Sequence, residues 1–166
     1  MGRLDTDLRL FMFLELNKKL KNRTFEWYAI EKHYLDALSR LENKEDKTII
    51  KKCYKGFIDN EKDMAKAINN SKIVYNINAQ GISSLNYRTI QVLACKRLII
   101  SDERKELDMF QGFIPTYKNI DDLTEKIEFY LNNKEEYNKI TTETSKIVQD
   151  KFNSKISVIN MLSEIS

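Results

Sequence analysis

Residues 71–102 read SKIVYNINAQGISSLNYRTIQVLACKRLIISD. Ile73, Val74 and Ile77 make a short β-rich run, and Leu98, Ile99 and Ile100 make a second that ends at Ser101-Asp102. Between them lies a polar loop, AQGISSLN, carrying Gly81 and two serines. From Tyr87 to Cys95, Ile90, Leu93 and Ala94 then recur at the three- and four-residue spacing of one helical face. The order predicts a β-loop-α-β unit. In such a unit the first strand's carboxyl end meets the helix's amino end at the loop, where unpaired backbone N–H groups and the helix dipole favour an anionic ligand. Asn76, Asn78, Asn86 and Arg88 gather at that position. An ordinary polar connection between core elements is the other reading.

Upstream, Asp7 to Leu20 predicts a helix with Leu10, Phe11, Leu14 and Leu20 on its apolar face; Phe13 and Leu16 broaden that face and imply deep burial. Thr24 to Ile30 is rich in aromatic and β-branched residues and reads as a strand. Ile30, Tyr34, Ala37, Leu38 and Leu41 repeat at helical intervals, up to the charged segment Glu42 to Lys47. His33 lies at the edge of that face with no partner acid or nucleophile near it in sequence, so a satisfied or solvent-facing histidine is expected. Thr48 to Ile58 reads as a strand or a loop plus a strand, with Gly56 against a helix. Asp59-Asn60 and Asp63 open a helix continued by Met64, Ala67 and Ile68.

Downstream, Glu103 to Phe110 predicts a short helix closed by Gly112 as a left-handed cap. Phe113 to Tyr117 is extended, and Pro115 marks it as an edge or terminal piece. Asp121-Asp122 begin a helix with the buried stripe Leu123, Ile127, Tyr130 and Leu131. Tyr137, Ile140, Ile147, Val148 and Phe152 mark another, and Ile156, Ile159, Met161, Leu162 and Ile165 a last one. Strands alternating with helices, without hairpin turn signals, point to an α/β domain with a parallel sheet flanked by helices and a helical carboxyl-terminal third.

At 166 residues the chain suits one domain that buries about two thirds of its unfolded surface. With only Cys53 and Cys95, both in apolar surroundings, and His33 as the sole histidine, neither a disulfide framework nor a metal site is expected. Buried thiols in a reducing cytoplasm are the expectation instead. A net charge of +3, from 28 basic and 25 acidic residues, gives nucleic acid no support. The longest apolar run, Leu10 to Leu14, falls far short of the roughly 20 residues that cross a bilayer. Asp5 and Asp7 stand where a signal peptide would be basic and then apolar.

The order SKIVYNIN, a loop with Gly81, LNYRTIQVLAC, RLIISDERKEL, a short extended piece and DDLTEKIEFYLNNKEEYNKI resembles the carboxyl-terminal, donor-binding domain of GT-B glycosyltransferases of the glycosyl transferase group 1 type, in the variety related to the spore-maturation protein CgeB. The similarity covers roughly Asp59 to Phe152, and the opening Gly2-Arg3-Leu4 is similar to the turn after that domain's first strand. The resemblance implies half of a GT-B fold: one Rossmann-like domain over residues 1–166, lacking the family's first strand and its amino-terminal acceptor domain. It further implies a cytoplasmic protein of bacterial-type glycan biosynthesis that binds a nucleotide-diphosphate sugar without a metal or other cofactor. Sugar transfer would need the acceptor domain, in the same protein or a partner chain, and this chain alone would be inactive.

Residue by residue, Arg88 matches the arginine of the family's Arg-x-x-Glu pattern, and Arg3 the basic residue expected near the diphosphate. Asn78, Gly81 and Asn86 complete the expected mouth. Ser83 and Gln91 stand where many retaining members carry two glutamates, one near the sugar and one on the ribose hydroxyls. Glutamine can still hydrogen-bond a ribose, but each bond is weaker by roughly a kcal/mol without the charge. Lys96 replaces the glycine of the family's Ala-Cys-Gly; if that position needs a positive φ, lysine costs about 1 kcal/mol there. These departures keep a second expectation open, a non-catalytic interaction module with the same fold. A stand-alone nucleotide-binding protein ranks below both, because no Gly-x-Gly-x-x-Gly or Gly-Lys-Ser/Thr is present. Trp27, Tyr75 and Tyr87 are expected in buried aromatic packing rather than stacked on a base.

Overall fold

The structure, a computed structural model, describes residues 7–77 and 85–152. It divides into two compact units: residues 1–64 with 119–124, and residues 65–118 with 125–166. The helices at Glu61–Asn70 and Ile120–Asn132 contribute residues to both.

In the first unit, helix α1 (Asp7–Lys19) buries Leu10, Met12, Phe13, Leu14 and Leu16. That arc is too wide for a surface stripe and makes α1 the core of the unit. Phe11, expected on the buried face, is 57% exposed: the inward arc is centred on Phe13 and Leu16, which turns position 11 outward. The expected strand at Thr24 to Ile30 is reduced to a single parallel bridge, Trp27 to Tyr54. Trp27 N–H donates to Cys53 O at 2.8 Å and Lys55 N–H to Trp27 O at 2.9 Å. The aromatic content there serves packing: Phe13, Trp27, Tyr54 and Tyr34 form a chain, ending in a stacked tyrosine pair at 4.1 Å.

Helix α2 (Glu31–Ser39) forms where the spacing expects one, but of the expected face only Ala37 is buried, with Tyr34, Leu38 and Leu41 half-buried and Ile30 exposed; Thr48 to Ile58 does not read as observed. Its first half belongs to helix α3 (Lys44–Cys53), which packs against α1 and α2. The Asn43 side chain caps it by accepting from Glu45 N–H at 2.7 Å, with Glu45 and Asp46 in the first turn and Lys51 and Lys52 in the last. These end charges suit the helix dipole and outweigh the β-branched Thr-Ile-Ile run, whose strand preference is weak beside tertiary packing. Ile50 and Cys53, three apart, point inward. The helix ends where Tyr54 turns extended, and Gly56, at φ 85, lies beyond it and so does not exclude it.

The second unit is built on strands β1 (Ile73–Asn76) and β2 (Leu98–Asp102), joined through helix α5 (Tyr87–Ala94), with α4 (Glu61–Asn70) before them. The strands pair in parallel, Ile73 opposite Leu98 and Asn76 opposite Ser101. The short strand β3 (Thr116–Tyr117) adds on β2's other side, also parallel. Leu98 to Ser101 are buried without alternation, as in a strand covered on both faces, and α5 and α7 both pack on β2. Both cysteines are free; Cys53 is buried, whereas Cys95, expected buried, is only half-buried at the end of α5.

Helix α5 turns Thr89, Val92 and Leu93 inward; Ile90 is half-buried and Ala94 exposed. The inward face is therefore rotated from the one expected, since the Thr89 side chain takes the place assigned to Ile90. Helices α6 (Ile120–Asn132) and α7 (Lys134–Phe152) follow the predicted order, α6 capped by Asn119 accepting from Asp122 N–H at 3.0 Å. Helix α7 packs against α5 and buries Thr141 and Thr144 beside Ile140 and Val148. Their hydroxyls donate to the carbonyls of Tyr137 and Ile140 four residues back, which lets polar side chains occupy a core face. Phe152, expected inward, is exposed. The 3-10 turn at Lys105–Phe110 is closed by Gln111 at φ 55, with Gly112 following at φ 77; the left-handed cap falls one residue before the glycine. The expected last helix lies outside the described residues.

Lys96 has φ 53. Its N–H donates to Leu93 O at 3.0 Å and Arg97 N–H to Val92 O at 3.1 Å, the paired bonds of a Schellman cap. A left-handed lysine costs about 1–2 kcal/mol, more than the ~0.4–1 kcal/mol of extra unfolded-state freedom that a glycine brings. Lys96→Gly is accordingly expected to stabilise the chain by up to about 1 kcal/mol in urea denaturation; a variant less stable than wild type would contradict this account of the cap.

Candidate functional site

The carboxyl ends of β1 and β2 meet at one edge of the sheet, because Asn76 and Ser101 are opposite each other in a parallel register. Helix α5 begins at the same edge. Its cap residue Asn86 accepts from Arg88 N–H at 3.0 Å through its side chain and from Thr89 N–H at 2.8 Å through its carbonyl, satisfying two of the helix's first N–H groups.

Four side chains then link that cap to the sheet. Asn86 Nδ2 donates to Asn76 Oδ1 at 3.3 Å, Asn76 Nδ2 to Ser101 Oγ at 3.5 Å, and Ser101 Oγ to Asp102 Oδ1 at 3.2 Å. Every donor faces the same way, so the chain ends on a carboxylate, whose charge polarises the links behind it. Arg104 Nε donates to Asp102 Oδ2 at 3.2 Å. From β3, the Tyr117 hydroxyl donates to Asn76 O at 3.0 Å. Asn76 is buried and Ser101 fully so; polar groups inside a sheet edge persist when hydrogen-bonded in this way.

Arg88 stands on the first turn of α5. Its Nε is buried without a hydrogen-bond partner, and no described carboxylate is paired with it. Arg40 and Arg97 also have an unpartnered Nε, but Arg40 binds Asp7 and Asp36, and Arg97 donates to Asn69 O. Burial lowers the Arg88 pKa from its ordinary value, the direction expected of a cation short of water and counter-charge.

Of the residues expected at the mouth, Asn86 and Arg88 are brought together at the start of α5, and Gln91 lies one turn further along, half-buried. Asn78, Gly81, Ser83 and Arg3 lie outside the described residues. Tyr87, expected in buried packing, is 65% exposed on the first turn of α5, whereas Trp27 is buried as expected. Sequence reasoning missed the contribution of Ser101, Asp102, Arg104 and Tyr117. The available signal was the polar string Ser101-Asp102-Glu103-Arg104 directly after a continuous apolar run, the place where parallel strands present their ligand-facing ends.

A parallel β-α-β unit whose helix starts, capped, at the carboxyl edge of the sheet defines a Rossmann-like domain. The chain matches the model of the glycosyl transferase-like family over residues 9–163 and belongs to that family. No curated protein sequence matches it.

Asn86→Ala removes both the cap and the link to Asn76. A loss of about 1 kcal/mol is expected, read as roughly fivefold faster exchange of the Arg88 amide hydrogen; unchanged exchange would show that the side chain does not hold the helix start.

Proposed function

We propose that this domain grips the donor of a glycosyl transfer reaction, a nucleotide-diphosphate sugar, with its diphosphate at the start of α5. The observation that carries this reading is the Arg88 guanidinium, part-buried on the first turn and without a counter-charge among the described residues. When the bond between the sugar's anomeric carbon and the diphosphate breaks, negative charge grows on the departing phosphate oxygens. A guanidinium and a helix start offset that charge, and they are worth most where water is scarce. In this reading no metal is required. An acceptor domain, in the same protein or a partner chain, supplies the sugar's destination, and the cleft between the two is where transfer occurs.

A non-catalytic module with the same fold is favoured by one observation, the strained Lys96 in place of the family's glycine. That strain sits at the opposite end of α5 from Arg88, about 12 Å away for eight residues. It therefore bears on stability rather than on the diphosphate, and the donor-binding reading is preferred.

Isothermal titration with UDP-, GDP- and CDP-sugars tests the reading. At least one is expected to bind, and Arg88→Leu to weaken that binding at least tenfold, about 1.4 kcal/mol. The same variant should not lower the melting temperature of the empty protein, because it removes a poorly compensated cation. No heat with any of the three at millimolar concentration, or full affinity in Arg88→Leu, would overturn it.

A further inference from the structure

We propose that Asn76 is a positioning residue for the anion site: it holds the start of α5, and with it Arg88, at a fixed angle to the sheet, and Tyr117 braces it from the third strand. The inference rests on the donor-binding reading above and adds to it the residues that set the geometry of the grip.

Placement is the first argument. Asn76 is the last residue of β1, buried and opposite Ser101 on β2. From there it meets three other elements. Its Oδ1 accepts from Asn86 Nδ2, at the cap of α5, at 3.3 Å; its Nδ2 donates to Ser101 Oγ at 3.5 Å; and its backbone carbonyl accepts from the Tyr117 hydroxyl of β3 at 3.0 Å. An amide accepts with its oxygen while donating with its nitrogen, so one short side chain ties a helix start and a neighbouring strand together.

The Tyr117 contact is the second. The sheet order is β1-β2-β3, so a side chain from β3 that reaches the β1 carbonyl passes across the end of β2. It is the shortest of the three bonds, and it falls where β1 leaves the sheet. A buried carbonyl is costly to leave unpaired, and the buried tyrosine ring carries its donor there from two strands away.

Division of labour is the third. Asn86 caps α5 through Oδ1, which accepts from Arg88 N–H, and reaches Asn76 through Nδ2. Cap and tether are therefore separate bonds of one residue. Removing the Asn76 side chain leaves the cap in place and frees the angle of the helix start. Hydrogen bonds from a guanidinium to phosphate oxygens are short and directional, so that freedom weakens ligand binding beyond any loss of stability.

The test compares the full chain as wild type, Asn76→Ala and Tyr117→Phe. Isothermal titration with inorganic pyrophosphate gives the affinity, and NMR of the empty proteins gives the backbone amide shifts. Asn76→Ala should bind about tenfold more weakly and Tyr117→Phe about threefold. The amides of residues 86–89 should shift in both variants, although Tyr117 lies on the third strand. If wild type binds no pyrophosphate, the donor-binding reading falls and this inference with it. If wild type binds and both variants keep its affinity, only the positioning role is overturned. Weaker binding with a lower melting temperature but unmoved amides at 86–89 would make the two residues supports of the sheet alone, which overturns the role as well. Should Asn76→Ala not fold, Tyr117→Phe decides by the same two readings.

Discussion

Everything at the site depends on the in-register parallel pairing of β1 with β2. A shift of one residue would exchange the two faces of β2 and separate Asn76 from Ser101. The relay from Asn86 to Asp102 would then be broken in its middle. The Asn76 bond to Ser101 holds the register at this edge, and the Tyr117 bond to Asn76 O ties the third strand to the same edge.

Two local features go against stability, and they differ in kind. Lys96 is held in a left-handed cap that a glycine would fill with less strain. Nothing in the anion-binding geometry benefits from it. The Arg88 Nε is buried without a partner among the described residues, and an anionic ligand would supply what it lacks.

Much of the fold was legible because periodicity reports directly on burial. The order of strand, helix and strand, the parallel sheet and the helices α1, α2, α4, α6 and α7 all followed from spacing and caps. What failed did so for identifiable reasons. The Thr-Ile-Ile run of α3 carries a strand composition inside a capped helix. Thr24 to Ile30 has strand residues but pairs only at Trp27. Helix α7 buries threonines that no hydrophobic pattern would select. At the site, Asn86 and Arg88 were readable from their place before and within one helix. Ser101, Asp102, Arg104 and Tyr117 were not, because their meeting depends on strand register and strand order rather than on local spacing.

The central claim is that the edge shared by the ends of β1 and β2 and the start of α5 holds a diphosphate. Backbone amide shifts measured by NMR during titration with inorganic pyrophosphate address it directly. The account predicts saturable changes concentrated at residues 86–89 and 101–104. Changes centred elsewhere, or none at saturating pyrophosphate, would contradict it.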